Sequence, residues 1–546
     1  MLPSKKLPSH EFGVVASERP TSKARAKFGA RKAWSTGTLF SATAILVYLA
    51  LLKLLVHLLT ADNYGYFRDE FYYLVASERP DLGYVDFPPF VMLVTAATHA
   101  VLGDSLLALH FLPALAGAVM VVLTGLMARE LGGGRYAQGI AALATLVAPN
   151  ILAFGAWLAM DAFDQLFWVS AAFVLVLILK RNQPRLWLLF GLVTGLGLFT
   201  KATMLYFGFA VFVALLATPA RRHLRTRWPW LGAAVALTFL LPYLYWQVVN
   251  GWPTLEFWRN YYWNMSPDSL GGFLIEQILT MQPVSLPLWL AGLWFFLFGK
   301  AGKTIRAPGL VYVILFTIFA IQNAKFYFLA PAYPVLFAAG GVTLERFFEE
   351  RRWRWPKPAY AVLLAVTGAI IAVFSTVPAL PVETVAKING TFAGVNLGIE
   401  GSGRSAEVDK LPLNFADRLG WEDMVSTVAG VRDRLPPEEQ SKACVLTRNY
   451  GEAAAVDFYG PKYSLPDAIS GHNNYYLWGP RGCNGEVVIS VGVSLETLED
   501  VFGDVEEADV VRCEYCMPDE NNFPVYVGRD PKMPFEEAWP EFKHYN

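Results

Sequence analysis

Apolar runs separated by short charged segments dominate the chain up to about residue 378, after which the pattern becomes mixed and polar. About 20 consecutive apolar residues cross a bilayer as a helix. The first such run, residues 39–59, carries one full charge, Lys53, placed where its long stem can snorkel or face a cavity. It is too long for a cleavable signal peptide and reads as an anchor. Further runs at 106–128, 136–156, 162–179, 186–199, 203–218, 229–249, 285–299, 308–323, 329–344 and 359–378 predict eleven crossings in all. Residues 88–102 open on Pro88 and Pro89, which suit the first turn of a helix because proline needs no amide donor there. They predict an interfacial or re-entrant helix, and residues 69–79 predict another.

Past residue 379 the periodicity changes. Ala443–Thr447 and 486–491 read as strands and 421–435 has helical spacing, with Pro, Gly and Asn punctuating the rest. The aromatic, polar stretch Asn473–Trp478 reads as turn and core, with contact to a sugar or capping of the membrane cavity as the alternatives. The expected fold class is an all-α polytopic membrane domain followed by a soluble external α/β domain. Its parts are a basic N-terminal segment (1–36), a membrane domain (37–378) with long loops at 61–105 and 250–284, and a tail (379–546).

Composition and charge orient this plan. The chain is 54% apolar and 17% charged. Basic clusters at 23–32, 129–135, 180–185, 221–227, 300–306 and 346–357 all fall on one side of the expected membrane. The positive-inside rule then puts the N-terminus in the cytoplasm and, with an odd number of spans, the tail outside. The tail holds 28 acidic and 14 basic side chains, although the whole chain is near neutral at −1. All four cysteines, Cys444, Cys483, Cys513 and Cys516, lie in the tail, which suits an oxidising compartment and one or two disulfides. The pairs Cys444–Cys483 and Cys513–Cys516 are candidates, and four unpaired thiols are the alternative. A zinc site is weaker, because one Cys-x-x-Cys without His partners is not a ligand set. The hexapeptide Val-Ala-Ser-Glu-Arg-Pro occurs at 15–20 and 75–80, and nothing physical explains it.

The candidate chemistry lies beside the membrane exits. Asp69 and Glu70 follow the first span closely, and charges in such places are functional candidates by default. Asp161 and Asp164 open the fourth span. Lys201 and Lys325 sit at expected outer turns, against the positive-inside trend, and lysine is a mobile three-donor cation suited to phosphate. An outer pocket of carboxylates and lysines could hold a phosphate head group whose lipid tail stays in the bilayer. The plain alternative is that the lysines snorkel and the aspartates cap helices.

These residues carry a resemblance. Asp69-Glu70, Tyr84-Val85-Asp86-Phe87-Pro88-Pro89, Asp161, Gly197-Leu198-Phe199-Thr200-Lys201 and the run from Lys325 to Pro334 occur in order within 39–350. This layout resembles the polyprenyl-phosphate-sugar-dependent glycosyltransferase family of the protein O-mannosyltransferases and bacterial aminoarabinose (lipid A) transferases, with its C-type membrane fold. Phe87 departs from the polar or basic residue of many relatives and leaves the donor sugar open. The resemblance implies a polyprenyl-phosphate monosaccharide donor and an acceptor hydroxyl on a lipid, glycan or protein. Asp69 would be the base for inverting transfer, Glu70 would position the loop or the sugar, and Asp161 would bind hydroxyls or assist the loop. Lys201, with Lys325 or Arg68, would stabilise the departing lipid phosphate, and Asp86 joins this donor-binding set. No metal is required, although the carboxylates are compatible with a divalent ion. A monomer in a bacterial inner membrane is expected, with membrane lipids as surroundings and no nucleic-acid partner. The rival classes are a lipid flippase or transporter, which would not need an external acidic pair, and a non-catalytic assembly protein, which would not need the ordered motifs.

Overall fold

A computed structural model describes residues 41–264, 270–300, 302–391 and 410–546, so the expected N-terminal segment (1–36) lies outside the described residues. Each of the eleven apolar runs is helical over most of its length. Among the described residues six helices are individually long and apolar enough to cross a membrane: Ala42–Leu59, Leu106–Glu130, Met160–Arg181, Trp228–Val249, Phe326–Glu350 and Pro356–Thr376. Two sharply bent pairs, Thr203–Leu216 with Pro219–Arg225 and Leu270–Thr280 with Pro283–Leu297, raise this to eight. Leu186–Leu198 and Ala307–Ile321 are apolar but shorter. The pattern of apolar residues thus locates the helices more securely than it counts the crossings.

The run expected at 136–156 shows why. Its helix, Arg135–Val147, ends at Ala148, whose backbone is extended because a helical conformation would clash with the ring of Pro149. A five-residue helix, Pro149–Ala153, follows, and its last carbonyls have no intrahelical partner. Two side chains from the first span take them. Lys53 Nζ donates to the Ile151 carbonyl (3.0 Å) and His57 Nε2 meets the Leu152 carbonyl (2.8 Å). Lys53 is therefore fully buried and does not snorkel. The break returns the chain through 154–159 towards the loop at 61–105.

Small residues let the helices approach. A side chain on Gly340 would strike the backbone of Leu288, and one on Gly292 the backbone of Leu336, so Leu286–Leu297 and Tyr333–Glu350 touch main chain to main chain.

The tail contains a five-stranded mixed sheet. Strands β1 (Ala443–Thr447), β2 (Ala468–Ser470), β3 (Val487–Val491), β4 (Phe502–Val511) and β5 (Phe523–Pro531) stand in the order β2-β1-β3-β5-β4. β1 runs parallel to both β2 and β3, and β5 is antiparallel to β3 and β4. Both expected strands and the helix, Trp421–Arg434, are present. Cys444 and Cys483 form a disulfide that joins β1 to the segment before β3, while Cys513 and Cys516 are thiols.

The tail does not keep its core to itself. Phe71, Tyr72, Tyr73, Leu74 and Val75 of the helix Arg68–Ser77 pack in one apolar cluster with Trp421, Val425 and Ala453 of the tail and with Leu109 and Phe163 of the membrane helices. A helix buried on all sides is what an apolar run without a polar face requires. Phe90–Leu102 is the second loop helix, with Pro89 as its N-cap.

Placing a branched side chain at the Gly340 contact forces two backbones apart. Gly340→Val is expected to lower stability by about 1–3 kcal/mol, the usual cost of overpacking. A lower midpoint of thermal unfolding in detergent checks this; an unchanged midpoint refutes the close approach.

Candidate active site

The helix Arg68–Ser77 places three charged residues in its first turn, each engaged in a different direction. Glu70 is fully buried. One of its oxygens accepts from the Phe67 amide (2.8 Å), closing the N-terminal turn of its own helix. The other accepts from the Leu158 amide (2.7 Å), on the stretch made by the break at Pro149, and lies 2.8 Å from His110 Nε2. Burial pushes the Glu70 carboxyl up, but His110, Arg418 and the Leu158 amide outweigh it and hold the group below the ordinary carboxylate range. With its oxygens so occupied, Glu70 ties the loop to the bundle and does not face a substrate. Of the two sequence-derived roles, the geometry suits loop positioning rather than sugar contact.

Asp69 points elsewhere. It lies deep yet keeps some accessible surface. Its Oδ1 accepts a 2.7 Å hydrogen bond from the hydroxyl of Tyr450, in the tail. Burial pushes its carboxyl up, Arg68, the Tyr450 hydrogen bond and Lys325 pull it back, and Asp161 adds to the push, with a net result above the ordinary range. Arg68 is paired with Asp417 of the tail (2.8 Å), so its guanidinium is already neutralised. That pairing argues against Arg68 as a free phosphate ligand.

Asp161 and Lys201 form an ion pair at 2.6 Å. The Lys201 ammonium lies 4.9 Å from the centre of the Phe328 ring and 5.3 Å from that of Tyr327. Lys325 reaches the same Tyr327 ring at 5.5 Å and Tyr261 at 5.0 Å. The two lysines thus share an aromatic neighbour, with Asp69 near one and Asp161 on the other. Asp164, buried one turn along from Asp161 and within electrostatic reach of Lys201, accepts a hydrogen bond from Thr203 (2.9 Å).

Asp86 completes the acidic side. Its oxygens accept from Tyr72 (3.2 Å) and from Asn473 of the tail (3.3 Å). Burial, with Asp69 close by, pushes its carboxyl up to about 7. Asp86 therefore belongs with Asp69 rather than with the lysines. Asn474 holds the same loop, accepting from the Val85 amide at 2.7 Å.

The sequence-derived residues Asp69, Asp86, Asp161, Lys201 and Lys325 therefore form one charged cluster, with Glu70 and Arg68 engaged beside it. Tyr450, Asp417, Arg418 and His110 were not among the candidates. Nothing in their local sequence distinguishes them, since their partners lie far away along the chain. Asn473 falls in the one tail stretch whose polar, aromatic character suggested contact with the cavity. Among the described residues no group of three or more His, Cys, Asp or Glu could hold a metal ion.

Comparison with known proteins bears on the fold. Residues 86–246, which include Asp86, Asp161 and Lys201, match the family described as dolichyl-phosphate-mannose-protein mannosyltransferase. No curated protein matches the sequence. The structure is similar to that of ArnT from Cupriavidus metallidurans bound to undecaprenyl phosphate, with a TM-score of 0.56 and 16% identity over 89% of this chain and 98% of that one. The apo state of ArnT gives 0.55 and 17% over the same shares. The archaeal oligosaccharyltransferase AglB from Archaeoglobus fulgidus matches with a TM-score of 0.49 and 13% identity over 84% of this chain and 70% of that one.

Because Glu70 is lower in the folded protein than in the unfolded chain, its stabilisation is complete above the ordinary carboxylate range. It is lost as pH falls through the lower folded value. Glu70→Gln should cost about 3 kcal/mol, as removal of one partner of a buried pair does, and should flatten the acid limb of stability against pH. Unfolding midpoints measured across pH check both effects. The chain thus shares the fold of ArnT, and its residues 86–246 are similar to a family of membrane mannosyltransferases.

Proposed function

We propose that this protein transfers a monosaccharide from a polyprenyl-phosphate donor to an acceptor hydroxyl, by single displacement with inversion at the external face of the membrane. The observation that carries the reading is the placing of Asp69 close to Lys325, which shares the Tyr327 ring with Lys201, so that a carboxylate and two cations lie in one cluster. Transfer passes through an oxocarbenium-like state and needs a carboxylate beside the attacking hydroxyl. It also needs positive charge where the lipid phosphate departs. Asp69 takes the acceptor proton or orients the hydroxyl, and its raised carboxyl suits a base that must hold a proton as charge develops. Lys325 and Lys201 meet the phosphate, and Asp161 holds Lys201 in place until the phosphate competes for it. Asp86, able to donate or accept near neutral pH, serves the sugar hydroxyls. The segment match and the undecaprenyl phosphate bound in the ArnT structure support a lipid-phosphate donor. An inner-membrane location, with the N-terminus cytoplasmic and the tail external, accompanies this reading.

The test is transfer by the purified protein in lipid, with a panel of radiolabelled polyprenyl-phosphate sugars and candidate acceptors. Asp69→Asn should slow transfer by about 100-fold or more, the scale of a lost general base. Lys201→Ala and Lys325→Ala should raise the KM for donor. Transfer by Asp69→Asn at the wild-type rate would end the assignment, as would failure of the wild type to consume any donor.

A further inference from the structure

The tail meets the membrane part at the very carboxylate assigned as base, and the contact is built from several directions. Tyr450 is the first residue of the helix Tyr450–Tyr459. That helix start is rigid. The preceding Asn449 and the fully buried Glu452 cap each other, and Glu452 also accepts from the Arg448 amide (2.8 Å) and the Arg448 guanidinium (3.0 Å). The Tyr450 amide donates to His472 Nδ1 (3.3 Å), and His472 in turn meets a backbone carbonyl at Asn546 (3.0 Å). The Tyr450 ring stacks on Tyr72 at 4.6 Å and 29° and lies 5.0 Å from the His472 ring. Gly451 follows, and any side chain there would run into that of Arg68, so the two helix starts are pressed together. Ring, backbone and cap all hold the phenol where it is, with its hydroxyl on Asp69 Oδ1 (2.7 Å).

We propose that Tyr450 is the positioning residue of the Asp69 carboxylate, so that the transfer site is complete only with the tail docked. The proposal rests on the reading of Asp69 as base. A carboxylate rotates about its terminal bond over a broad range. A fixed donor on Oδ1 stops that rotation and leaves Oδ2 for the acceptor hydroxyl. Burial pushes the phenol well up, so it stays protonated and can only donate to the ionised carboxylate. The other groups facing Asp69 are Arg68 and Tyr73 on its own helix, Lys325 and Asp161 from the membrane part, and Asp86 from the same loop. Of these, Arg68 is committed to Asp417, which also belongs to the tail. The tail therefore supplies the hydrogen bond to Asp69 and the counter-charge to its neighbour.

Tyr450→Phe keeps the ring against Tyr72 and removes only the hydroxyl. In the full-length protein in lipid, with a donor and acceptor that support wild-type transfer, the variant should lose about tenfold in kcat, the scale of one hydrogen bond to a charged group. The KM for donor should stay unchanged. The hydroxyl favours the ionised form of Asp69, so without it the acid limb of the kcat profile should move to higher pH. A merely structural tyrosine would not move that limb. Asp69→Asn/Tyr450→Phe should be no slower than Asp69→Asn alone, because the hydroxyl acts through the carboxylate. If Asp69→Asn is inactive but Tyr450→Phe keeps the wild-type kcat and pH profile, the role of Tyr450 is overturned and the base assignment stands. If Asp69→Asn transfers at the wild-type rate, the base assignment fails and takes this proposal with it.

Discussion

A single buried carboxylate, that of Glu70, sets the geometry of everything around it. A charge with no water must have its oxygens filled, and here they are filled by the Phe67 amide, the Leu158 amide and His110. Those partners come from the loop itself, from the broken stretch after Pro149 and from a membrane helix. Three parts of the chain that are far apart in sequence are thereby fixed to one point. Successive side chains on a helix turn by about 100°. With Glu70 held by Leu158 and His110, Asp69 is turned to a different side, where it meets Tyr450 of the tail and lies close to Lys325 and Asp161. Their position in the first helical turn also places both carboxylates at the positive end of the helix dipole.

The same economy explains the break that sends Leu158 to Glu70. Proline at 149 ends one helix and leaves carbonyls unpaired, and Lys53 and His57 of the first span complete them. A lysine that looks anomalous in an apolar run is therefore matched to carbonyls freed farther along the chain. Unpaired backbone groups are costly away from water, so the lysine and the break explain each other.

Much of this was legible in the sequence, for identifiable reasons. Apolar periodicity located the membrane helices, because burial in lipid or core requires it at every position. It did not count the crossings, because several apolar runs form helices shorter than a bilayer requires, such as Arg135–Val147, Leu186–Leu198 and Ala307–Ile321. Asp69, Asp86, Asp161, Lys201 and Lys325 were visible because charge beside a membrane span is conspicuous. Tyr450 and Asp417 were not, since a tyrosine and an aspartate in a polar domain look ordinary until folding brings them to Asp69 and Arg68. The roles of Glu70 and Arg68 were also hidden, because a one-dimensional pattern does not say which of three adjacent charges is already paired. The tail looked separate for the same reason: its own strands and turns are self-consistent, and only the all-round burial of Arg68–Ser77 reveals the shared core.

That shared core bears on how such a protein can diversify. The segment resembling known mannosyltransferases ends at residue 246, whereas Tyr450 and Asn473 reach Asp69 and Asp86 from the tail. One cluster of side chains is thus written in two stretches of sequence under different constraints. The membrane stretch is bound by lipid and helix packing, and the tail by the ordinary rules of a soluble sheet. Substitutions at tail positions such as Tyr450 and Asn473 change the surroundings of Asp69 and Asp86 directly, so drift in the tail is drift in the site itself.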